Sequence, residues 1–300
     1  MNTATNTYSV KSVFTDFKEI TKAGLAISVL FSSIAGYLLG FSEEHPFEWT
    51  VLIMLCIGGY CMVGASNAFN QVIEKDLDKL MDRTKNRPVP SGRMSSTTAL
   101  IVASLLTLIG LTLLYMINPK SAMFGAISIF LYTSVYTPLK TVTSLSVFVG
   151  AFPGAIPFML GWVAASGNFG IEAGTLFLIQ FFWQFPHFWA IGWFLYEDYE
   201  KAGIFMLPTG KKDKGTAMQV ILYTVWLIIA SLLPSLGYTG QLFIGKIASG
   251  VVLILGLWML YYAVNLYKLR TAKAARTLML VSVSYISLLQ LVYIIDKFLR

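Results

Sequence analysis

The chain is predicted to be an all-α, polytopic membrane protein, a bundle of nine transmembrane helices. Three observations predict it. Hydrophobic residues make up 56% of the 300 positions and charged residues 12%, about half the charged share of a soluble domain, with a mean hydropathy of +0.68. The apolar residues gather in long stretches of about 20, the length a helix needs to cross about 30 Å of hydrocarbon. No run of about 10 residues alternates in polarity as a membrane β-strand does, and in lipid a helix satisfies its own backbone hydrogen bonds. A soluble fold and a disordered chain are excluded. The net charge of +7 reports topology and not nucleic acid binding, because the basic residues sit in short loops and form no stripe.

The elements follow in order. Residues 1–21 are polar and mixed in charge, with Asp16 and Glu19 beside Lys11 and Lys18. They are expected to form a cytoplasmic tail and no removable signal, since they lead into a full-length apolar stretch. Spans are expected at about 22–41, 47–69, 97–116, 121–139, 145–166, 171–196, 216–236, 241–264 and 276–296, so that 22–296 form one nine-helix domain. Gly36/Gly40 and Gly150/Gly154 have the spacing that lets helices approach closely. Pro153, Pro157 and Pro186 are expected to kink spans five and six. Cys56 and Cys61, five apart in span two, match neither a redox pair nor a zinc pattern and read as packing residues.

Orientation follows from the basic residues. Of 22 Lys and Arg, only Lys120, Lys246, Lys297 and Arg300 fall on the side opposite the N-terminus. This places the N-terminus inside, the C-terminus outside, and agrees with an odd number of spans.

The acidic residues locate the expected site. Eight of 15 fall in two cytoplasmic loops, 70–96 and 197–215: Glu74, Asp76, Asp78 and Asp82, then Glu197, Asp198, Glu200 and Asp213. Asn70, Glu74, Asp78 and Asp82 recur at i+4, and Lys75, Lys79, Arg83 and Arg87 form a second i+4 row beside them. A solvated, salt-bridged face is the ordinary reading of such a helix. Here the row continues directly from an apolar span, so Asn70 and Glu74 lie at the bilayer boundary, where ionisable groups are costly and functional by default. Aligned oxygen ligands beside cationic donors suit Mg²⁺ held together with a phosphate group. The second loop, on the same face, offers Asp198 with Glu197 or Glu200 for a second ion around one diphosphate.

These residues resemble a known signature. Asn70-x-x-x-Glu74-x-x-x-Asp78, followed by Arg83-Thr84-x-Asn86-Arg87-Pro88 and Gly92, is similar to the motif of UbiA-type intramembrane prenyltransferases, with Glu74 one methylene longer than the family's Asp. Two further runs, Trp183-Gln184-x-Pro186-His187-Phe188-Trp189 and Asp198-Tyr199-x-x-Ala202-Gly203-x-x-Met206-Leu207-Pro208, resemble the branch that farnesylates heme B. The second acidic motif of quinone-type relatives is not intact, since Phe194 stands four residues before Asp198.

The resemblance implies transfer of a farnesyl group from farnesyl diphosphate to a vinyl group of heme B, giving heme O. It implies two Mg²⁺ ions, with Asn70, Glu74 and Asp78 on the first and Asp198 on the second. Lys75, Lys79, Arg83, Arg87 and Lys140 are candidates for diphosphate contact. Tyr132, Tyr136, Trp183, Phe185, Phe188 and Trp189 are candidates to line an apolar cavity, where aromatic faces stabilise a cation. Of the two histidines, His45 is expected in solvent and His187 against the haem substrate, histidine being a common axial ligand of haem iron. The implied partners are farnesyl diphosphate, heme B and the lipid bilayer of a bacterial inner membrane, with heme A synthase or a terminal oxidase downstream, and no nucleic acid. The alternatives are a prenyltransferase acting on an aromatic quinone precursor and a transporter. Transporters bind near the midplane, whereas the charges here lie at helix ends on one face.

Overall fold

The computed structural model describes residues 10–300, with side chains from Val13 onward. Part of the expected cytoplasmic tail, residues 1–9, and the Lys11 side chain lie outside the described residues. The elements are α1 (Val10–Ile20), α2 (Ala23–Gly40), α3 (Trp49–Ile73), α4 (Lys75–Asp78), α5 (Ser96–Ile117), α6 (Pro119–Phe130), α7 (Thr137–Leu139), α8 (Ser146–Ser166), α9 (Ile171–Phe194), α10 (Tyr196–Lys201), α11 (Lys214–Leu232), α12 (Lys246–Leu269) and α13 (Ala272–Leu299). A π-helical turn, Leu131–Tyr136, joins α6 to α7 as one rod, and a 3-10 turn, Leu233–Leu236, extends α11.

Polar residues set the helix starts. Ser95 Oγ accepts from Thr98 N–H at 3.0 Å, Asn118 Oδ1 from Ser121 N–H at 2.8 Å and Asp213 Oδ1 from Thr216 N–H at 2.8 Å, each satisfying a donor the helix leaves unpaired. Helices occupy all of the predicted apolar stretches. Among the described residues, eight helices are long and apolar enough to cross a membrane. The 24-residue α9 is as long as these but falls outside that group because Gln180, Gln184 and His187 lower its apolarity. Gln180 and Gln184 are buried, so this polarity faces the bundle interior.

Large apolar side chains such as Leu108, Ile254 and Ile247 are exposed along the outside of the bundle, an outward face suited to lipid and not to water. Inside, α2 lies directly on α8. A Cβ on Gly36 would stand 2.0 Å from Phe158 O, and one on Gly161 2.0 Å from Ser33 O, so only glycine permits this backbone approach. Gly40 likewise meets Trp162 Cα at 2.9 Å, whereas Gly154 makes room for the Gln184 side chain of α9. Pro153 and Pro157 lie inside α8, and Pro186 inside α9.

Candidate active site

Helix α3 ends at Ile73, and Glu74 caps it with φ −93° and ψ 12°, so the acidic row bends instead of running along one straight helix. The short α4 restores the spacing, with Asp78 N–H donating to Glu74 O at 2.7 Å. Asn70, Glu74 and Asp78 are all buried, at 2%, 4% and 0% exposure. Buried carboxylates cost several kcal/mol unless paired, and each has a partner. Asn70 Nδ2 donates to Glu74 Oε2 at 2.8 Å, Lys140 Nζ lies 2.8 Å from Glu74 Oε1, and Arg87 Nη1 donates to Asp78 Oδ2 at 2.8 Å. Asp78 Oδ1 is left buried with no hydrogen bond among the described residues, and Glu74 Oε1 has none beyond its ion pair.

Lys140 reaches Glu74 because of the π turn before it. The turn lets Thr137 Oγ1 donate to Tyr132 O at 2.8 Å while accepting from Asn70 Nδ2 at 3.3 Å, which ties the end of the α6–α7 rod to α3. Lys140 Nζ stands 4.5 Å over the Tyr136 ring, and that ring fills the space beside Gly150. Burial alone would lower the pKa of Lys140. The Glu74 carboxylate, with smaller contributions from Tyr132 and Tyr199, offsets burial, and together they hold it above the ordinary value.

Lys22 joins this group, although sequence reasoning gave it only a topological role. It adopts left-handed backbone, φ 47° and ψ 57°, at the start of α2, a conformation non-glycine residues rarely hold without reason. Burial, then the charges of Arg87 and Lys140, push its pKa down to about 7 against the opposing pull of Glu74 and Asp78. The sequence signal was its place at the head of the first span, on the same membrane face as the acidic loop.

The other predicted cations scatter. Lys79 pairs with Asp76 at 2.8 Å on the surface, Lys75 forms no ion pair among the described residues, and Arg83 lies 5.8 Å over the Tyr199 ring. Asp82, last of the predicted row, is exposed between Lys85 and Lys201, 2.6 Å from each, and these hold its pKa down to about 2 with Lys201 the larger cause. A bent chain cannot present all of an i+4 row to one point.

The second acidic loop docks on the first. Asp198 Oδ1 accepts from Asp82 N–H at 2.9 Å and Oδ2 from Arg83 N–H at 3.4 Å, while Phe205 N–H donates to Lys140 O at 2.8 Å. Asp198 therefore meets the first loop through backbone amides. Glu197 turns away to pair with Lys212, and Glu200 contributes no side-chain bond among the described residues. No group of three or more His, Cys, Asp or Glu among the described residues is arranged to hold a metal by itself.

Deeper in the bundle, His187 Nδ1 lies 2.8 Å from Ser282 Oγ and its ring stacks on Trp183, centroids 4.6 Å apart and planes 19° from parallel. Phe185 and Trp189 are buried against Tyr223 with centroids 4.4 and 4.9 Å away. A partly open cavity of about 30 Å³ lies among Leu30, Ser33, Gly59, Met62, Ser128 and Ile156.

Comparison with known proteins places these features in context. A profile described as the UbiA prenyltransferase family matches residues 29–289. A protein named protoheme IX farnesyltransferase from Flavobacterium johnsoniae is 83% identical over 300 residues, all of both chains. Proteins of that name from Flavobacterium psychrophilum and Christiangramia forsetii are 75% and 65% identical, over 97% of both chains for the first and 96% of this chain and 95% of the other for the second. Among solved structures, a digeranylgeranylglyceryl phosphate synthase superposes with a TM-score of 0.78 at 18% identity, covering 96% of this chain and 99% of that one. A UbiA homolog from Archaeoglobus fulgidus bound to GPP and Mg²⁺ superposes with a TM-score of 0.67 at 13% identity, covering 93% and 99%. At such identities the solved structures speak for the fold.

Proposed function

Because the chain belongs to the UbiA prenyltransferase family, we propose that it transfers a farnesyl group from farnesyl diphosphate to a vinyl group of heme B with uptake of one water, forming heme O and diphosphate. The observation that carries the reading is the full-length identity of 83% to a protein named for that activity. The Asn70, Glu74 and Asp78 cluster, with Arg87, Lys140 and Lys22 around it, supports it.

The demanding step is heterolysis of the allylic C–O bond, in which diphosphate leaves with the bonding pair; the vinyl π electrons then attack the allylic carbon, and the cation left beside the porphyrin ring takes up the oxygen of one water, which loses a proton, to give the hydroxyalkyl chain of heme O. Charge grows on the leaving oxygens, and preorganised cations facing it are the strongest available stabilisers. Arg87 and Lys140 are held in place beforehand by Asp78 and Glu74, and an entering diphosphate shares them. Lys22, with its pKa near 7, takes up a proton when an anion arrives. Burial around Tyr136 and the aromatic residues of α9 keeps water from the allylic cation.

The residues fit Mg²⁺. Asp78 Oδ1 is a buried carboxylate oxygen without a hydrogen bond, and Asn70 and Glu74 add oxygens beside it. Magnesium takes one or two carboxylates together with substrate phosphates, which agrees with a cluster too small to hold a metal alone. When bound, the ion neutralises diphosphate charge. A relative bound to GPP and Mg²⁺ supports the same dependence. Asp198 is assigned to a second ion, at which it would exchange its two backbone amides for a cation.

With α9 as the ninth span, the N-terminus lies in the cytoplasm of a bacterial cell and the C-terminus across the inner membrane. The basic residues favour that orientation. The product then passes to heme A synthase or a terminal oxidase.

The test uses membranes containing the chain, given farnesyl diphosphate, heme B and Mg²⁺, with the haems separated by chromatography. Heme O is the expected product. Its absence, with an aromatic quinone precursor prenylated instead, overturns the assignment.

A further inference from the structure

His187 is held by more contacts than packing requires, and the pattern of those contacts defines its chemical state. Ser282 Oγ lies 2.8 Å from His187 Nδ1 and donates its own hydrogen to Met279 O at 2.7 Å. A serine has one O–H to give. With that hydrogen on Met279 O, the bond to His187 takes its proton from the imidazole, so Nδ1 carries the hydrogen and Nε2 bears the lone pair. Trp183 fixes the remaining freedom. Its ring lies parallel to the imidazole, 4.6 Å away, and its Nε1–H donates to the backbone oxygen of the same Ser282 at 2.7 Å.

Nε2 makes no hydrogen bond among the described residues, and His187 is half-buried, so no protein donor claims the Nε2 lone pair. A ring whose Nδ1–H is held by a neighbour while Nε2 stays unprotonated is the arrangement of a metal-ligating histidine. His187 lies seven residues before the end of α9 at Phe194, about 10 Å of helix rise from the loops that carry the acidic cluster.

We infer that Ser282 is a positioning residue for the haem substrate: it fixes His187 in the Nδ1–H form so that Nε2 ligates the haem iron and anchors the porphyrin in the bundle. The inference rests on heme B being the acceptor. It adds that the acceptor is held through its iron and that α13 supplies the residue orienting the ligand. No bond is made or broken other than the iron–nitrogen bond, so the His187 proton stays on Nδ1 throughout.

The experiment titrates the purified full-length chain in detergent with ferric heme B and follows the Soret band and the electron paramagnetic resonance signal, with farnesyl diphosphate affinity measured in parallel to report folding. The wild type is expected to bind one haem with a histidine-ligated spectrum. His187→Gly is expected to lose that spectrum and regain it with added imidazole. Ser282→Ala is expected to bind haem about 10–100-fold more weakly, the usual effect of removing a partner of a metal-ligating histidine, with unchanged farnesyl diphosphate affinity, and Ser282→Thr, which keeps the hydroxyl, to restore binding. An unaltered spectrum in His187→Gly, or equal haem affinity in Ser282→Ala and wild type, overturns the inference. Heme O formed by a chain with such unaltered spectra overturns only the ligation, whereas histidine-ligated haem in a chain that makes no heme O overturns only the farnesyl transfer.

Discussion

The Lys140 ammonium lies 2.8 Å from the Glu74 carboxylate, and both side chains are about nine-tenths buried, with exposures of 10% and 6%. The pair joins the end of the α6–α7 rod to the end of α3. Removing one partner of a buried pair leaves an uncompensated charge and costs about 3–5 kcal/mol, whereas replacing both is much less costly. Lys140→Met and Glu74→Gln are each expected to lower the unfolding temperature in detergent, and the double variant to recover part of the loss. All three are expected to lose at least about 100-fold in heme O formation, the scale of losing one preorganised donor to a developing anion.

Asp78 and Asp82 occupy equivalent places in the i+4 row but unlike surroundings. Asp78 is buried on Arg87 with one oxygen free of hydrogen bonds, while Asp82 is exposed between two lysines. Asp78→Asn is expected to abolish Mg²⁺-dependent activity. Asp82→Asn is expected to stay within a few-fold of wild type, since exposed ion pairs contribute little. Mg²⁺ titration of farnesyl transfer in both variants checks this.

Lys22, with its pKa lowered to about 7, is expected to react with an amine-directed acylating reagent along a pH profile centred near 7, because the neutral amine is the nucleophile. Lys140, held above its ordinary value by Glu74, is expected to stay unreactive across that range. Mass spectrometry of the labelled chain reads both. Added Mg²⁺–diphosphate is expected to protect Lys22 and shift its profile upward, since a nearby anion favours the ammonium.

The Asp198 carboxylate accepts from the Asp82 and Arg83 amides. A hydrogen bond to a charged group contributes about 1.5–3 kcal/mol, so Asp198→Ala is expected to speed hydrogen exchange at those two amides by about 10–100-fold. The Asp82–Lys201 pair beside them has a pH limit. Because Asp82 titrates at about 2 instead of its ordinary 3.8, its contribution is complete above about 4 and is lost as pH falls through 2. The Asp82–Lys201 link between the two loops is therefore expected to hold down to about pH 4 and to open as pH falls through 2, read by NMR titration of the Asp82 carboxyl and Lys201 ammonium signals.

Gly161→Ala places a Cβ 2.0 Å from Ser33 O and 2.5 Å from Tyr37 N, contacts with backbone that cannot move aside. Overpacking of this kind costs about 1–3 kcal/mol or more, and the α2–α8 contact is expected to open. Gly174→Ala, where nothing lies within 4 Å, is expected to be neutral or stabilising by thermal unfolding.

Membrane residence and helical class were legible because both depend on composition and on stretch length, which are properties of the chain. The Asn70, Glu74 and Asp78 triplet was legible because its spacing survives a one-residue break in the helix. The break itself was not visible, and with it went the fate of the second row: Arg87 turns back onto Asp78, but Lys79 and Arg83 find partners elsewhere. The polarity of α9 was written in Gln180, Gln184 and His187, yet its meaning required knowing that these side chains face neighbouring helices.

By itself the sequence determined where the chain is apolar, where its charges collect and which short runs resemble a prenyltransferase, since each is local along the chain. Tertiary structure alone decided that Lys22 and Lys140, 118 positions apart in the numbering, share one electrostatic site with Glu74, Asp78 and Arg87. It also decided that Asp198 faces backbone amides and that Ser282 lies 2.8 Å from a histidine on another helix. Electrostatic and hydrogen-bonding partners are set by distance in space, and spacing along a helix fixes distance only until the helix ends.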